Sequence, residues 1–335
     1  MDKIETTDSL QQKPRVLGMP PGSFVTRFGA IFGLVILMLI LSIASPVFFT
    51  ADNLANISRQ ATVNAFLAIG LLLAIITAGI DLSVGSILAL SMSALALMAI
   101  KWNVNPILSV LISLGVGASV GLVNGLLLTK LHLPHPFIAT LGTMNIARGI
   151  ALIITGASPI SGFDRAGAGD VLFLGAGSIG PIPVAFIIVV LVYLLFNVIL
   201  NNTSFGRHVY AVGGNISAAR LSGISVDRTL IFVYSISGLM AGLAALMLAG
   251  RTNSGYPNAG TGAELDAIAA VIIGGASFSG GSGTIWGTAI GVILIAVLRN
   301  GLVLLQVPVE WQTVAIGVVI VVAVYVDVIR LRSRK

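Results

Sequence analysis

Long apolar runs follow one another along almost the whole chain, and short polar or glycine-containing segments separate them. A helix rises about 1.5 Å per residue and the hydrocarbon core of a bilayer is about 30 Å thick, so roughly 20 apolar residues cross it. By this rule the pattern predicts ten membrane-spanning helices, of which the eighth is short and is expected to be tilted or broken. The predicted spans are residues 28–50, 61–80, 82–100, 105–129, 137–156, 182–200, 230–250, 267–280, 284–305 and 313–328.

The composition supports this pattern. Of the 335 residues, 56% are hydrophobic and 9% are charged, and the mean hydropathy is +1.04. A soluble protein carries roughly 25% charged residues, so this chain cannot build a water-facing surface, which excludes a soluble enzyme and a disordered chain. The sequence pI of about 10.0 comes from a net charge of +6 spread over apolar segments, so we expect no nucleic-acid partner. The prediction is an all-α polytopic protein embedded in a lipid bilayer.

Basic residues predict the orientation of the spans, because Lys and Arg accumulate on the cytoplasmic side. With ten spans, twelve of the 18 Lys and Arg residues lie on the side of both termini, four lie on the other side and two lie inside spans. Both termini are therefore expected to be cytoplasmic. The expected organisation is a cytoplasmic tail at residues 1–27, a single transmembrane domain at residues 28–329 and a basic cytoplasmic end at residues 330–335.

Several kinds of chemistry have no residues to perform them. The chain has no cysteine, which excludes disulfides, thiolate metal ligands and a cysteine nucleophile. The three histidines, His132, His135 and His208, have no carboxylate nearby in sequence, so no metal site is expected. The phosphate-binding pattern GxxxxGK[ST] and the catalytic patterns GxSxG and HExxH are also missing. The chain is therefore not expected to be an ATPase or any other enzyme.

Asp81 is the one charged residue between Arg59 and Lys101. A carboxylate inside hydrocarbon normally marks function, which favours a role in the translocation pathway or its gate. The predicted topology instead puts Asp81 at a cytoplasmic hairpin, where Asp81 or Ser83 would cap the following helix. Both interpretations remain open from the sequence.

A second polar site is expected in the fifth span. Asn145 and Arg148 are three residues apart and so share a helix face. Arg148 is about 16 Å from the start of its span, near the middle of the bilayer. A charge at that depth must face a partner or a watery pathway, although a purely structural hydrogen-bond network is an equal alternative. Arg299 lies nearer the outer end of its span and is expected to snorkel.

Glycine recurs every four residues in two spans, which places small residues on one helix face and lets two backbones approach closely. We expect tight packing at Gly117, Gly121 and Gly125 in the fourth span and at Gly283, Gly287 and Gly291 in the ninth.

The longest cytoplasmic connection, residues 201–228, predicts a short helix whose one apolar face holds Ala218, Ala219, Leu221 and Ile224. Asn215 or Ser217 is its expected cap. Such a helix is either an ordinary interfacial helix or a docking element for a soluble partner. On the outer side, acidic residues outnumber basic ones, which suits either a basic external partner or an ordinary solvated loop.

Four segments resemble, in matching order, the ribose-type monosaccharide permeases, which are the membrane subunits of bacterial ABC sugar importers. They are GIDLSVGS (79–86), PFIATLG (136–142), FGRHVYAVGGNISAARLSGI (205–224) and ELDAIAAVIIGG (264–275). The resemblance implies a multi-pass permease of the bacterial inner membrane that usually works as a homodimer. It also implies a cytoplasmic ATPase subunit with two nucleotide-binding halves, which binds ATP and Mg, so that this chain itself holds no cofactor.

The resemblance further implies that a periplasmic or lipid-anchored binding protein delivers the sugar to the outer face, where Glu264 and Asp266 become the expected contact. It assigns coupling to the ATPase to Gly214, Asn215, Ala218, Ala219, Arg220 and Gly223. The implied function is import of a monosaccharide, ribose or a related pentose or hexose, by alternating access. The alternative is an ion-coupled secondary transporter of a small polar solute, which would need intramembrane carboxylates and broken helices.

Overall fold

The computed structural model describes residues 21–131, 133 and 135–332. His132, most of the predicted tail at residues 1–27 and part of the predicted basic end at residues 330–335 lie outside the described residues. Eight helices among the described residues are long and apolar enough to cross a membrane, which confirms the all-α polytopic class. The helices are α1 (Pro21–Ala44), α2 (Ala51–Ile76), α3 (Val84–Ala96), α4 (Pro106–Lys130), α5 (Pro136–Thr155), α6 (Gly169–Ala176), α7 (Val184–Asn202), α8 (Ser204–Gly214), α9 (Ile216–Leu221), α10 (Val226–Thr252), α11 (Ala263–Ile273), α12 (Ile285–Leu304) and α13 (Val309–Arg332).

Two short antiparallel strand pairs lie in the segments that were predicted to be on the outer side. β1 (Ile160–Ser161) pairs with β4 (Ser254–Gly255), and β2 (Ser178–Ile179) pairs with β3 (Ile182–Pro183). The first pair joins the segment after α5 to the segment after α10. Asn253 strengthens this link, because its Nδ2 donates to Asp164 Oδ1 at 2.8 Å. That hydrogen bond holds the pKa of Asp164 below its usual value.

The boundary between the first two spans differs from the prediction. α1 ends at Ala44, and turns follow it because Pro46 disfavours helical backbone at the residue before it. α2 then begins at Ala51, ten residues earlier than predicted, where Thr50 Oγ1 accepts a hydrogen bond from the Asn53 backbone N–H. Hydropathy missed this polar first turn because it ranks residues only by apolarity.

The core lies where α10 packs against α4, α2 and α3. The predicted glycine face of α4 makes the closest of these approaches. A Cβ at Gly117 would lie 2.5 Å from the carbonyl oxygen of Gly238, and one at Gly125 would lie 2.7 Å from Ile231 Cα. The glycine face of α12 packs in the same way, since a Cβ at Gly291 would meet the backbone of Ala270 in α11. The prediction of tight helix packing is confirmed.

The eighth predicted span is broken. α11 has 11 residues, or about 16 Å, which is roughly half of the hydrocarbon thickness. Residues 254–262 before it are not helical and run alongside α3. Gly255 contacts Met92 and Ala96, and Gly260 contacts Gly85; these contacts are about 10–16 Å apart along α3. The crossing therefore begins on the outer side as an irregular segment and continues toward the inner side as a short helix.

Candidate translocation and docking sites

The connection between α7 and α10 contains the predicted short helix, and a second one precedes it. α9 begins after Asn215, whose Oδ1 accepts a hydrogen bond from the Ala218 backbone N–H at 2.9 Å. The choice of Asn215 as the cap is therefore confirmed, while Ser217 lies inside the helix. Gly223 has φ +81°, a left-handed conformation that glycine adopts without strain and that ends the helix. α8 was not predicted; its Val209 and Val212 are buried against the bundle.

The predicted apolar face of α9 is divided between two sides of the helix, which corrects the expectation of one face. Ala219 is 4% exposed and packs with Val212, Val226 and Leu230, whereas Leu221 is 91% exposed. Ala218 also faces outward, because successive helical residues are about 100° apart. Ala219 therefore anchors α9 to the bundle, and the exposed side remains free for a partner.

The remaining predicted coupling residues lie on the exposed surface around α9. Arg220, Gly214 and Gly223 are all exposed, and a Cβ at Gly214 would have no neighbour within 4 Å. A cavity of about 750 Å³ opens beside α9 and is lined by Lys130, Arg220, Asp227 and Arg228 among others. The arrangement combines an apolar tip with a basic border, both on the predicted cytoplasmic side.

Asp81 occupies a buried polar network, not a water-exposed hairpin. It is 0% exposed. Its Oδ1 accepts hydrogen bonds from Ser83 N at 3.0 Å and from Ser83 Oγ at 2.5 Å, and its Oδ2 accepts one from Ser237 Oγ at 2.8 Å. Asn124 Nδ2 donates to Ser83 Oγ at 2.8 Å, and Asn124 Oδ1 accepts from Thr143 Oγ1. The carboxylate thus links the start of α3 to α4, α5 and α10.

Asp81 accepts a hydrogen bond from the Ser83 backbone N–H directly before α3, which agrees with the capping interpretation, and a role in the pathway or its gate stays a prediction. Ser83 is at the N-cap position of α3 but makes no side-chain capping bond. Both residues are completely buried, so they do not line an open pathway in this conformation. The hydropathy pattern could not locate them, because their partners lie about 40 to 156 residues away in sequence.

Arg148 and Asn145 lie on one face of α5, as their spacing predicted. Arg148 Nη1 donates to the carbonyl oxygens of Pro257 and Ala259, both at 2.7 Å. Asn145 is exposed, and its Nδ2 donates to Leu141 O in its own helix at 2.9 Å. The expected partner of Arg148 therefore exists and is the irregular segment before α11, which the predicted spans 230–250 and 267–280 leave outside the membrane.

Asp266 and Arg299 form an ion pair, which corrects two expectations. The Nε–Oδ2 and Nη2–Oδ1 distances are 2.7 Å and 2.8 Å, and Asp266 is 4% exposed. Arg299 does not snorkel, because a carboxylate lies within reach on the neighbouring antiparallel helix. The Asp266 carboxylate is turned into the bundle and is not available to an external protein. Glu264 is half-buried beside Gly85 at the start of α3.

Metal ligands do not converge anywhere in the part of the chain that the structure describes. There, no group of three or more His, Asp or Glu side chains is placed to hold an ion. His135 precedes α5 and His208 lies in α8. The carboxylates of Asp81, Asp266 and Asp327 are instead engaged by serine or arginine side chains.

These features define a polytopic membrane protein with a short exposed helix, α9, and a polar irregular segment packed against α3. A family model described as "Branched-chain amino acid transport system / permease component" matches residues 53–324. The ribose import permease protein of Bacillus subtilis (strain 168) is 46% identical over 301 residues, which cover 90% of this chain and 92% of that protein. No solved structure matches the chain.

Relatives with other names are also similar over nearly the full length. The D-allose transport system permease protein of Escherichia coli (strain K12) is 41% identical over 91% of this chain and 92% of its own. The galactose/methyl galactoside import permease protein of Salmonella typhimurium (strain LT2) is 37% identical over 90% and 94%. The chain therefore belongs to this family of permease subunits of bacterial ABC importers, which sit in the inner membrane and are not enzymes.

Proposed function

We propose that this chain is the membrane-spanning subunit of an ATP-driven importer for a monosaccharide, either ribose or a related pentose or hexose. The observation that carries the proposal is the identity of 37–46% over about 90% of the chain with permeases named for ribose, allose and galactose. The four ribose-permease-like segments of the sequence agree with it. Ribose is favoured because the ribose import permeases of Bacillus subtilis and Escherichia coli (strain K12), at 46% and 43% identity, are more similar to the chain than the allose and galactose permeases named above.

The ATPase partner is proposed to dock on α9. ATP and Mg are bound by that partner, which has two nucleotide-binding halves, since this chain carries no phosphate-binding pattern. The exposed Leu221 and Ala218 suit an apolar groove on the partner, and Ala219 transmits movement because it is packed against α10 residues. A rigid helix fixed at its inner side is a suitable lever for shifting the bundle between two packed states.

Two further partners complete the proposal. A second permease copy is expected to pair with this one, and the sugar path is expected to open alternately to each side. A periplasmic or lipid-anchored binding protein is expected to deliver sugar to the outer segments, which β1, β4 and the Asn253–Asp164 hydrogen bond hold together. This surface replaces Asp266 as the proposed contact, since Asp266 is buried in its ion pair.

Uptake by proteoliposomes tests the proposal. Purified permease and ATPase are reconstituted with ATP and Mg trapped inside, and labelled ribose is added outside with its binding protein. The expected result is accumulation that needs internal ATP and survives an ionophore. Accumulation without ATP that collapses with the ionophore would instead support the secondary transporter. The broken eighth crossing and the half-buried carboxylate of Glu264 suit that alternative, whereas Asp81 and Asp327 are both hydrogen-bonded to serines.

A further inference from the structure

The irregular segment at residues 256–262 lies deep within the membrane. Gly260 contacts Gly85, which is sixteen residues before Lys101 at the outer end of the same helical stretch. That separation corresponds to about 24 Å of helix rise. Arg148, which holds two carbonyl groups of the segment, is likewise seven residues, or about 10 Å, inside the outer end of α5. The segment therefore lies at the depth of the hydrocarbon core.

Part of this segment is open on the surface of the chain. Asn258 and Thr261 are both exposed. Irregular backbone at membrane depth does not face lipid, because lipid cannot satisfy its polar groups, and it occurs only inside protein or beside a water-filled cavity. The exposed side of this segment must therefore be covered by water or by another protein chain.

The adjoining surface of α5 contains a polar side chain among apolar ones. Asn145 is exposed near the middle of the helix, and a Cβ at either Gly142 or Gly149 would have no neighbour within 4 Å. The polar amide and the two glycines lie beside exposed apolar side chains, since Ile146 is 62% exposed and Ile153 is 79% exposed. Arg148 joins this face to the irregular segment through its hydrogen bonds to Pro257 and Ala259.

The charges on this surface suit an uncharged solute. Arg148 and Glu264 border the same segment from two sides, Arg148 at Pro257 and Ala259 and Glu264 beside Gly85, which contacts Gly260, so side chains of opposite charge type flank it. Glu264 also lies in the first turn of α11 and beside the start of α3, where two helix N-termini favour a negative group. Amide, hydroxyl, guanidinium and carboxylate groups offer donors and acceptors to sugar hydroxyls, and such separate weak contacts allow release.

We infer that Asn145, Asn258, Thr261 and Glu264 line a water-filled path through the membrane that contacts the sugar, with Arg148 as the residue that positions the irregular segment. The identity of the solute as a sugar rests on the proposed function, whereas the presence of water does not. Glu264 is thereby assigned to the path and not to the contact with the binding protein.

Single cysteines test the path directly, because the natural chain has none. Thr261→Cys and Asn145→Cys are compared with Leu194→Cys in α7 and Val318→Cys in α13, which are exposed at similar depth but on apolar surfaces. A charged, membrane-impermeant thiol reagent is applied to vesicles, since thiols react as thiolates and these need water. We expect the first two variants to be labelled at least about tenfold faster than the two controls.

Equal labelling of all four variants, or disulfide cross-links between copies at Asn145→Cys without labelling, would overturn the water-filled path. Each variant is first shown to be folded by co-purification with the ATPase, and complete labelling in detergent shows that its cysteine can react. Millimolar ribose, with mannitol as the control polyol, is then added during labelling in the presence of the ATPase. Slower labelling with ribose alone supports the sugar contact, and unchanged labelling overturns that contact. The labelling rate is measured without any uptake. A failure of the proposed path can therefore be distinguished from a failure of the proposed importer function.

Discussion

Removing the Asp266 carboxylate tests whether this residue stabilises the fold through its ion pair with Arg299 or contacts the external binding protein. Asp266→Ala leaves the Arg299 guanidinium without its carboxylate in a largely buried position. Breaking a buried pair by removing one partner destabilises a protein by about 3–5 kcal/mol. The Arg299 side chain is 29% exposed and the Asp266 side chain 6%, so water recovers part of that loss and we expect about 3 kcal/mol.

Thermal unfolding of the purified permease in detergent measures this loss. Asp266→Ala is expected to lower the melting temperature clearly, whereas Glu310→Ala, an exposed acidic residue near the start of α13, is expected to leave it unchanged. The double variant Asp266→Ala/Arg299→Ala should be less destabilised than the sum of the single variants, because the second change removes the unpaired charge. A normal melting temperature for Asp266→Ala, combined with weaker affinity for the binding protein, would refute the ion-pair interpretation and restore Asp266 to the outer surface.

Three further predictions concern docking, packing and the buried network. Leu221→Asp should weaken ATPase binding in co-purification by about 10- to 150-fold, because burying a leucine side chain on docking contributes about 1.5–3 kcal/mol. The control is Leu131→Asp, which changes another exposed leucine. An equal loss of binding in both variants would contradict the role of α9. Gly117→Ala should lower the melting temperature, because its Cβ would lie 2.5 Å from a carbonyl oxygen of α10, while Gly115→Ala, with no neighbour within 4 Å, should not. Asp81→Ala leaves buried serine and asparagine donors without their acceptor, at about 1–3 kcal/mol for each group, so folded yield should fall; a normal yield and melting temperature would show that the network contributes little.

The features that hydropathy and spacing predicted are those that depend on local sequence. Long apolar helices, the glycine faces of α4 and α12, and the Asn215 cap all follow from residues that are near one another in the chain. The helical rise and the capping geometry act over three or four residues, so their outcome is visible in a short window. The boundaries of α4 and α12 accordingly agree with the prediction to within one residue.

The features that the sequence could not predict depend on contacts between distant residues. Asp266 and Arg299 are 33 residues apart, and Arg148 bonds to carbonyls more than 100 residues away. Residues 256–262 are polar and glycine-rich, which is typical of a solvated loop, and only their packing against α3 places them within the membrane. Asp81 was expected at a water-exposed hairpin for the same reason, because its burial depends on contacts with Asn124 and Ser237, which are 43 and 156 residues away.

The central claim is that an ATPase acting on α9 moves a helical bundle that has no nucleotide site of its own. The accessibility of a cysteine at position 221 tests this claim most directly. Leu221→Cys is labelled with a membrane-impermeant maleimide in inside-out and right-side-out vesicles, with and without the ATPase. The account predicts labelling from the cytoplasmic side only, with protection when the ATPase is bound. Labelling from the periplasmic side, or cytoplasmic labelling that the ATPase leaves unchanged, would contradict it.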